Sequence, residues 1–105
     1  MELVREGVLT IEQLVQKMCH APAELYHIEK RGFIRPGYYA DLVFVNPDSQ
    51  WTVTSDCILS KCGWSPMEGQ TFHSQVEKTF VNGHLVYHNH QVDKAHRGKE
   101  LRFKR

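Results

Sequence analysis

The sequence is short of net charge. Thirteen Lys and Arg against twelve Asp and Glu leave a formal charge of +1, so no basic excess draws the chain to nucleic acid or to an anionic membrane surface. No apolar run approaches a membrane span, and Met1-Glu2-Leu3-Val4-Arg5-Glu6 lacks the character of a signal peptide. Cysteine is scarce as well. Cys19, Cys57 and Cys62 are an odd number without metal-site spacing, and are read as free thiols of a cytoplasmic protein. There is no internal repeat and no low-complexity segment. At 105 residues the chain is one small domain at most, with a thin margin of stability.

What is present falls into a helical part and a strand part. Thr10 with Gln13 three residues on forms a capping box, which satisfies two free backbone amides at a helix start. Ile11, Leu14, Val15 and Met18 then recur at helical spacing, which makes one face apolar. Pro22 suits the first turn of a second, short helix, with Leu25 and Ile28 as its buried side. Residues 2–6 read as the end of a preceding helix. From Gly32 the pattern changes. Pro36-Gly37 predicts a type II turn, because glycine tolerates positive φ. Leu42, Val43, Phe44 and Val45 are continuously apolar, so a strand covered on both faces is expected. Asn46-Pro47-Asp48-Ser49 is a turn, Trp51-Thr52-Val53 a short strand, and 63–69 a long loop.

Asn82-Gly83 between two alternating runs predicts a type I′ hairpin. Two-residue pairing sets Val81 opposite His84, Phe80 opposite Leu85, Thr79 opposite Val86, Lys78 opposite Tyr87 and Glu77 opposite His88. The apolar face then holds Phe80, Leu85 and Tyr87. The charged tail, 93–105, is expected on the surface or frayed.

The run Arg31-Gly32-Phe33-Ile34-Arg35-Pro36-Gly37-Tyr38-Tyr39-Ala40-Asp41-Leu42-Val43-Phe44-Val45 resembles the Gly-x-Ile-x-x-Gly-x-x-Ala-Asp-Leu-Val element near the C-terminus of amidohydrolase-superfamily enzymes. Residues 60–69, with Trp64-Ser65-Pro66-Met67-Glu68-Gly69, resemble the Trp-Ser-Pro-Phe-Glu-Gly loop of one dihydroorotase branch, which favours dihydroorotase over hydantoinase or allantoinase. Ala21-Pro22-Ala23 stands where the family usually has Asn-Pro-Ala. The hairpin 80–87 resembles the one that closes the family's sheet.

The resemblance implies an α+β chain, the C-terminal fragment of a (β/α)₈-barrel hydrolase. Residues 1–30 would be the last barrel helices, 31–92 strands of a small composite β-sandwich with its terminal hairpin, and 93–105 a charged surface tail. The family's reaction is the reversible, zinc-dependent hydrolysis of dihydroorotate to carbamoyl-aspartate in pyrimidine synthesis. One or two zinc ions supply a hydroxide at neutral pH and polarise the amide carbonyl. The family's ligands are a His-x-His pair, two later histidines, often a carboxylated lysine, and an aspartate that also serves as base. All lie upstream of the matched region. The resemblance therefore implies zinc and a cyclic amide substrate for the parent enzyme, but no catalytic, cofactor-binding or metal residue and no cofactor in this chain.

Several residues invite a site nonetheless. His84, His88 and His90 would share a strand face by period-two spacing and could hold zinc; they are read as a solvent-facing cluster. His88-Asn89-His90 is too short for a nuclease element. Asp41, among apolar neighbours, is read as accepting backbone amides of the turn before it rather than as a catalytic carboxylate. Cys57 and Cys62 are read as buried and inert. His20 and His27 flank the short helix in capping or surface roles. Trp64 is read as packing against a barrel, with a place at an active-site mouth as the other option.

Three functions of different class follow. The first is the tail of a dihydroorotase, inactive alone, that associates with the missing N-terminal barrel portion or with itself because its strand edges and helix face are bare. The second is a non-catalytic, dihydroorotase-like interaction module. The third is a small zinc protein built on His84, His88 and His90. A hydantoinase or allantoinase tail is the variant of the first. Whether Met1 is a genuine start is not legible in the letters.

Overall fold

A computed structural model describes residues 1–105. Helix α1 spans Glu2–Arg5. Helix α2, Ile11–Val15, starts on the expected capping box: Thr10 Oγ1 accepts the Gln13 amide at 3.1 Å and Gln13 Oε1 accepts the Thr10 amide at 2.9 Å. Pro22 lies in the first turn of α3, Ala21–Leu25, as its missing N–H demands. That helix is not separate, however. A π-helical segment, Gln16–His20, joins α2 to α3, with the Ala21 amide reaching back to the Gln16 carbonyl. The wider turn absorbs the amide that Pro22 cannot offer.

The buried side of α3 differs from expectation. Leu25 is 70% exposed, and Ala23 is the buried residue. The cause is where the chain returns. Gly32, at φ +82, lies directly against Ala23 and the Cys19 carbonyl, so the Ala23 side chain rather than Leu25 faces inward. The next turn forms as read: the Tyr38 amide donates to the Arg35 carbonyl at 3.1 Å, and Gly37 takes φ +82.

Six strands follow. They are β1 Leu42–Asn46, β2 Trp51–Thr52, β3 Thr71–Phe72, β4 Gln75–Val81, β5 His84–His88 and β6 Gln91–Val92. They form an antiparallel four-stranded sheet of order β1-β4-β5-β6 and a separate β2-β3 pair. Asn82 and Gly83 both have positive φ, as the type I′ turn requires. Val81 faces His84 and Phe80 faces Leu85, but then the register slips. Thr79 faces Tyr87 and Lys78 faces His88. Val86 is the extra residue of a β-bulge, and the expected Thr79–Val86, Lys78–Tyr87 and Glu77–His88 pairs do not form. Tyr87 consequently turns to the Thr79 face, away from Phe80 and Leu85. Phe44 takes its place beside Phe80, edge-on, with ring centroids 5.6 Å apart. A second bulge makes Glu77 the extra residue opposite β1.

β1 is not covered on both faces. It is an edge strand, and Val43 is 57% exposed. The same holds across the molecule, where only Ala23 and Val53 are buried. The accessible surface is 8580 Å², against about 6,000 Å² for a folded monomer of this mass. The radius of gyration is 15.7 Å, against about 13 Å for a compact chain of this length. No helix is long and apolar enough to cross a membrane. The tail keeps to the surface but is tied down: Phe103 bridges Ile28, the Glu29 amide donates to the Arg102 carbonyl at 2.9 Å, and the Lys104 amide to the His27 carbonyl at 2.8 Å.

Candidate functional site

Asp41 sits at the centre of the best-connected polar group. Its Oδ2 is paired with Arg31 Nη1, and its Oδ1 accepts the Asn82 amide at 2.8 Å. Asp41 does accept a backbone amide, but from the hairpin turn rather than from the turn before it. The turn's amide points outward, and residues 40–41 run beside it; the Ala40 carbonyl accepts the Gly83 amide at 3.1 Å. Arg31 Nη2 also donates to the Lys99 carbonyl at 3.2 Å, and the guanidinium lies 4.4 Å from the centre of the Tyr39 ring. The motif residues thus clamp the helical part, the hairpin turn and the tail together. The sequence reading gave Asn82 its place in the hairpin turn but did not join it or Arg31 to Asp41, since these partners are far apart in the chain.

The histidines do not assemble. The bulge at Val86 puts His84 and His88 on opposite faces of β5. His84 instead stacks on His96, with centroids 4.3 Å apart. His96 Nδ1 lies 2.8 Å from Asp93 Oδ2, and this hydrogen bond holds the Asp93 carboxyl below its usual range. His90 lies in the tight turn before β6, its Nε2 3.3 Å from Gln75 Nε2. His20 stacks on Phe33 at 4.3 Å, and His27 ends α3 in the left-handed region at φ 54. His73 and His96 were not singled out in the sequence. Asp93 three residues before His96 was a usable local signal. His73 offered none, because its partner is Glu2: Glu2 Oε1 accepts the His73 amide at 2.7 Å, which lowers the Glu2 pKa. No three His, Cys, Asp or Glu side chains lie together in a way that could hold a metal ion, so the donors present do not fit the zinc site that the resemblance implies for the parent.

The thiols are unpaired, as the sequence implied, but they are exposed rather than buried. Nothing in the chain covers the loop that carries Cys62. Its Sγ lies 3.2 Å from Ser60 Oγ, and the Ser60 hydroxyl, followed by the Trp64 backbone, lowers the thiol pKa. Cys62 is therefore expected to alkylate severalfold faster than Cys19 or Cys57 with iodoacetamide at neutral pH, and Ser60→Ala should remove the advantage. Peptide mapping of a time course checks this; equal rates at all three would contradict it. Trp64 itself is 62% exposed and rims an apolar groove with Leu59, Met67 and Phe72.

The largest concavity lies between α3 and the tail. Glu24, Glu29, Lys30, Arg35 and Lys104 line it with charges of both signs, and Arg35 is stacked over Phe33 at 4.1 Å.

The chain is 41% identical over 85 residues to the dihydroorotase of Clostridioides difficile, covering 81% of the chain and 20% of that protein. It is 30% identical over 101 residues to the dihydroorotase of Pyrococcus furiosus, covering 96% of the chain and 24% of that protein. Among solved structures it resembles the L-hydantoinase (dihydropyrimidinase) of Arthrobacter aurescens, with a TM-score of 0.77, 30% identity, and coverage of 85% of the chain and 20% of that one. The dihydropyrimidinase of Brevibacillus agri gives 0.76 and 28%, with coverage of 87% and 20%. The chain thus spans about a fifth of the length of the curated relatives it matches. The model of the amidohydrolase family matches residues 1–86, and the chain belongs to that family.

Proposed function

We propose that this chain is the C-terminal portion of a dihydroorotase, the cytoplasmic zinc-dependent hydrolase that interconverts dihydroorotate and carbamoyl-aspartate. The observation that carries the reading is the identity of 36–41% to five bacterial dihydroorotases, against 30% or less for the hydantoinase-type structures; the Pyrococcus dihydroorotases stand at 29–30%. In this reading residues 1–30 finish the barrel, 31–92 contribute strands to the composite β-sandwich, and 93–105 form a surface tail. The bare helix face of Ile11, Val15 and Met18 then packs on the barrel, and Trp64 packs beside it. Zinc, where the rest of the enzyme holds it, supplies hydroxide and polarises the amide carbonyl. The residues of this chain bind no metal and move no proton; they hold the barrel's end in place through the Arg31–Asp41–Asn82 clamp.

Complementation tests this. The Clostridioides difficile enzyme, stripped of the part that this chain matches, is co-expressed with the chain, and carbamoyl-aspartate formation from dihydroorotate is followed. Recovery of turnover only in the pair supports the reading. Recovery on hydantoin alone would move it to the hydantoinase variant. A stable complex without turnover on either substrate would replace it with a non-catalytic interaction module, and failure to form a complex would overturn it.

A further inference from the structure

We propose that the Asn82–Gly83 peptide is a deamidation site that Asp41 and Ala40 hold shut, and that its conversion frees the tail from the hairpin. The chemistry needs only water. The Gly83 nitrogen attacks the Asn82 side-chain carbonyl carbon and a C–N bond forms. The Cγ–Nδ2 bond breaks, and ammonia leaves with the proton that the Gly83 amide gives up. Water then opens the resulting succinimide at either carbonyl, which yields aspartate or isoaspartate. Glycine at 83 puts no side chain in the way of this attack. The other asparagines are less suited. Asn46 precedes Pro47, whose nitrogen has no hydrogen to give up, and Asn89 precedes His90, whose side chain hinders the approach.

The fold restrains this site and leaves its leaving group free. The Gly83 amide, the attacking group, donates to the Ala40 carbonyl at 3.1 Å, and the Asn82 amide donates to Asp41 Oδ1 at 2.8 Å. Ring closure requires the Asn82 backbone to rotate out of the turn, which both hydrogen bonds oppose. Arg31 Nη2 donates to Asn82 Oδ1 at 3.4 Å, while Nδ2 is shielded from water and has no hydrogen-bond partner. A buried donor without an acceptor costs stability, so no bond of Nδ2 to the protein is given up when ammonia departs. The tail rests on this same point. The Lys99 carbonyl accepts from Arg31 Nη2 at 3.2 Å, and His96 stacks on His84. A Cβ on Gly98 would stand 3.2 Å from Val81 Cγ1 and 3.8 Å from Asn82 Nδ2. A carboxylate at 82 competes with Asp41 for Arg31, and isoaspartate adds a main-chain carbon to a turn that admits only two residues. Either product weakens the seat of residues 96–99.

Every group involved belongs to this chain, whatever enzyme it completes. The purified chain is held at mildly alkaline pH, and peptide mapping follows the acid formed at Asn82 and at Asn89. A synthetic peptide of residues 78–87 is the unrestrained reference. Asn82 in the folded chain is expected to convert roughly tenfold or more slowly than in the peptide, since only the locally opened population reacts. Asp41→Ala should recover most of that difference at Asn82 and leave Asn89 unchanged. Converted chain, separated by ion exchange, should be cut by trypsin after Lys94 and Arg97 severalfold faster than unconverted chain. Should Asp41→Ala fail to fold, the wild-type chain in urea below its unfolding transition decides. Conversion at Asn82 should then rise in step with exchange of the Asn82 and Gly83 amides. Equal rates in chain and peptide would overturn the proposal. So would equal acceleration at Asn89 in a folded Asp41→Ala chain, conversion independent of amide exchange, or unchanged cleavage of the converted chain.

Discussion

Gly32→Ala is expected to remove most of the stability of this chain. Gly32 has φ +82, and a Cβ there would overlap Ala23 Cβ and stand 2.7 Å from the Cys19 carbonyl oxygen. The left-handed backbone alone costs a non-glycine residue roughly 1–2 kcal/mol. Overpacking typically adds about 1–3 kcal/mol. Neither neighbour is the far end of a flexible side chain: one is backbone, and the other is one of the two buried residues in the protein. The expected loss is therefore about 3 kcal/mol or more, in a chain whose small core leaves it little to lose. Gly37→Ala separates the two effects. Gly37 has the same φ of +82 but nothing within 4 Å of the added carbon, so only the backbone penalty applies, about 1–2 kcal/mol. Urea unfolding of both variants checks the difference. Equal losses would mean that the contact with Cys19 and Ala23 is looser than it stands here.

This contrast shows what the letters could and could not say. Thr10 with Gln13, Pro36-Gly37 and Asn82-Gly83 were legible because each acts within four residues, where chain geometry leaves few choices. The Gly32 turn was legible as a motif, but not its reason, since Cys19 and Ala23 approach it through the tertiary fold. The bulges at Glu77 and Val86 were not legible at all. One extra residue reverses the facing of everything beyond it, which is why Tyr87 left the Phe80 face and His84 parted from His88. The docking of Phe103 on Ile28 was hidden because the two meet only through the tertiary fold. Burial was misjudged where apolar residues meet nothing in this chain, at Leu25, at β1 and at the thiols. The family was legible because its motif residues hold the fold together.

Asp41→Ala should destabilise the chain by about 2 kcal/mol, since it takes acceptors from two donors at once. The Asn82 amide loses its partner at 2.8 Å, and Arg31 loses its counter-charge. The Arg31 side chain is only 12% exposed, so water cannot fully replace what is removed. A hydrogen bond to a charged group contributes about 1.5–3 kcal/mol. The Asp41 side chain is 33% exposed, which keeps the loss below the roughly 3–5 kcal/mol of a fully buried pair. Asp41→Asn keeps an acceptor for the Asn82 amide but not the charge, so about half the loss is expected. A double-mutant cycle with Arg31→Ala then measures the ion pair itself, and a coupling of about 1 kcal/mol or more is expected. The Asp93–His96 pair supplies the comparison, because its side chains are 39% and 47% exposed and such pairs contribute little. Coupling at Arg31–Asp41 no larger than at Asp93–His96 would show the clamp to be an ordinary surface pair. The larger value would show a structural reason for an aspartate at this position: it accepts from the hairpin turn and pairs with Arg31, which in turn donates to the tail.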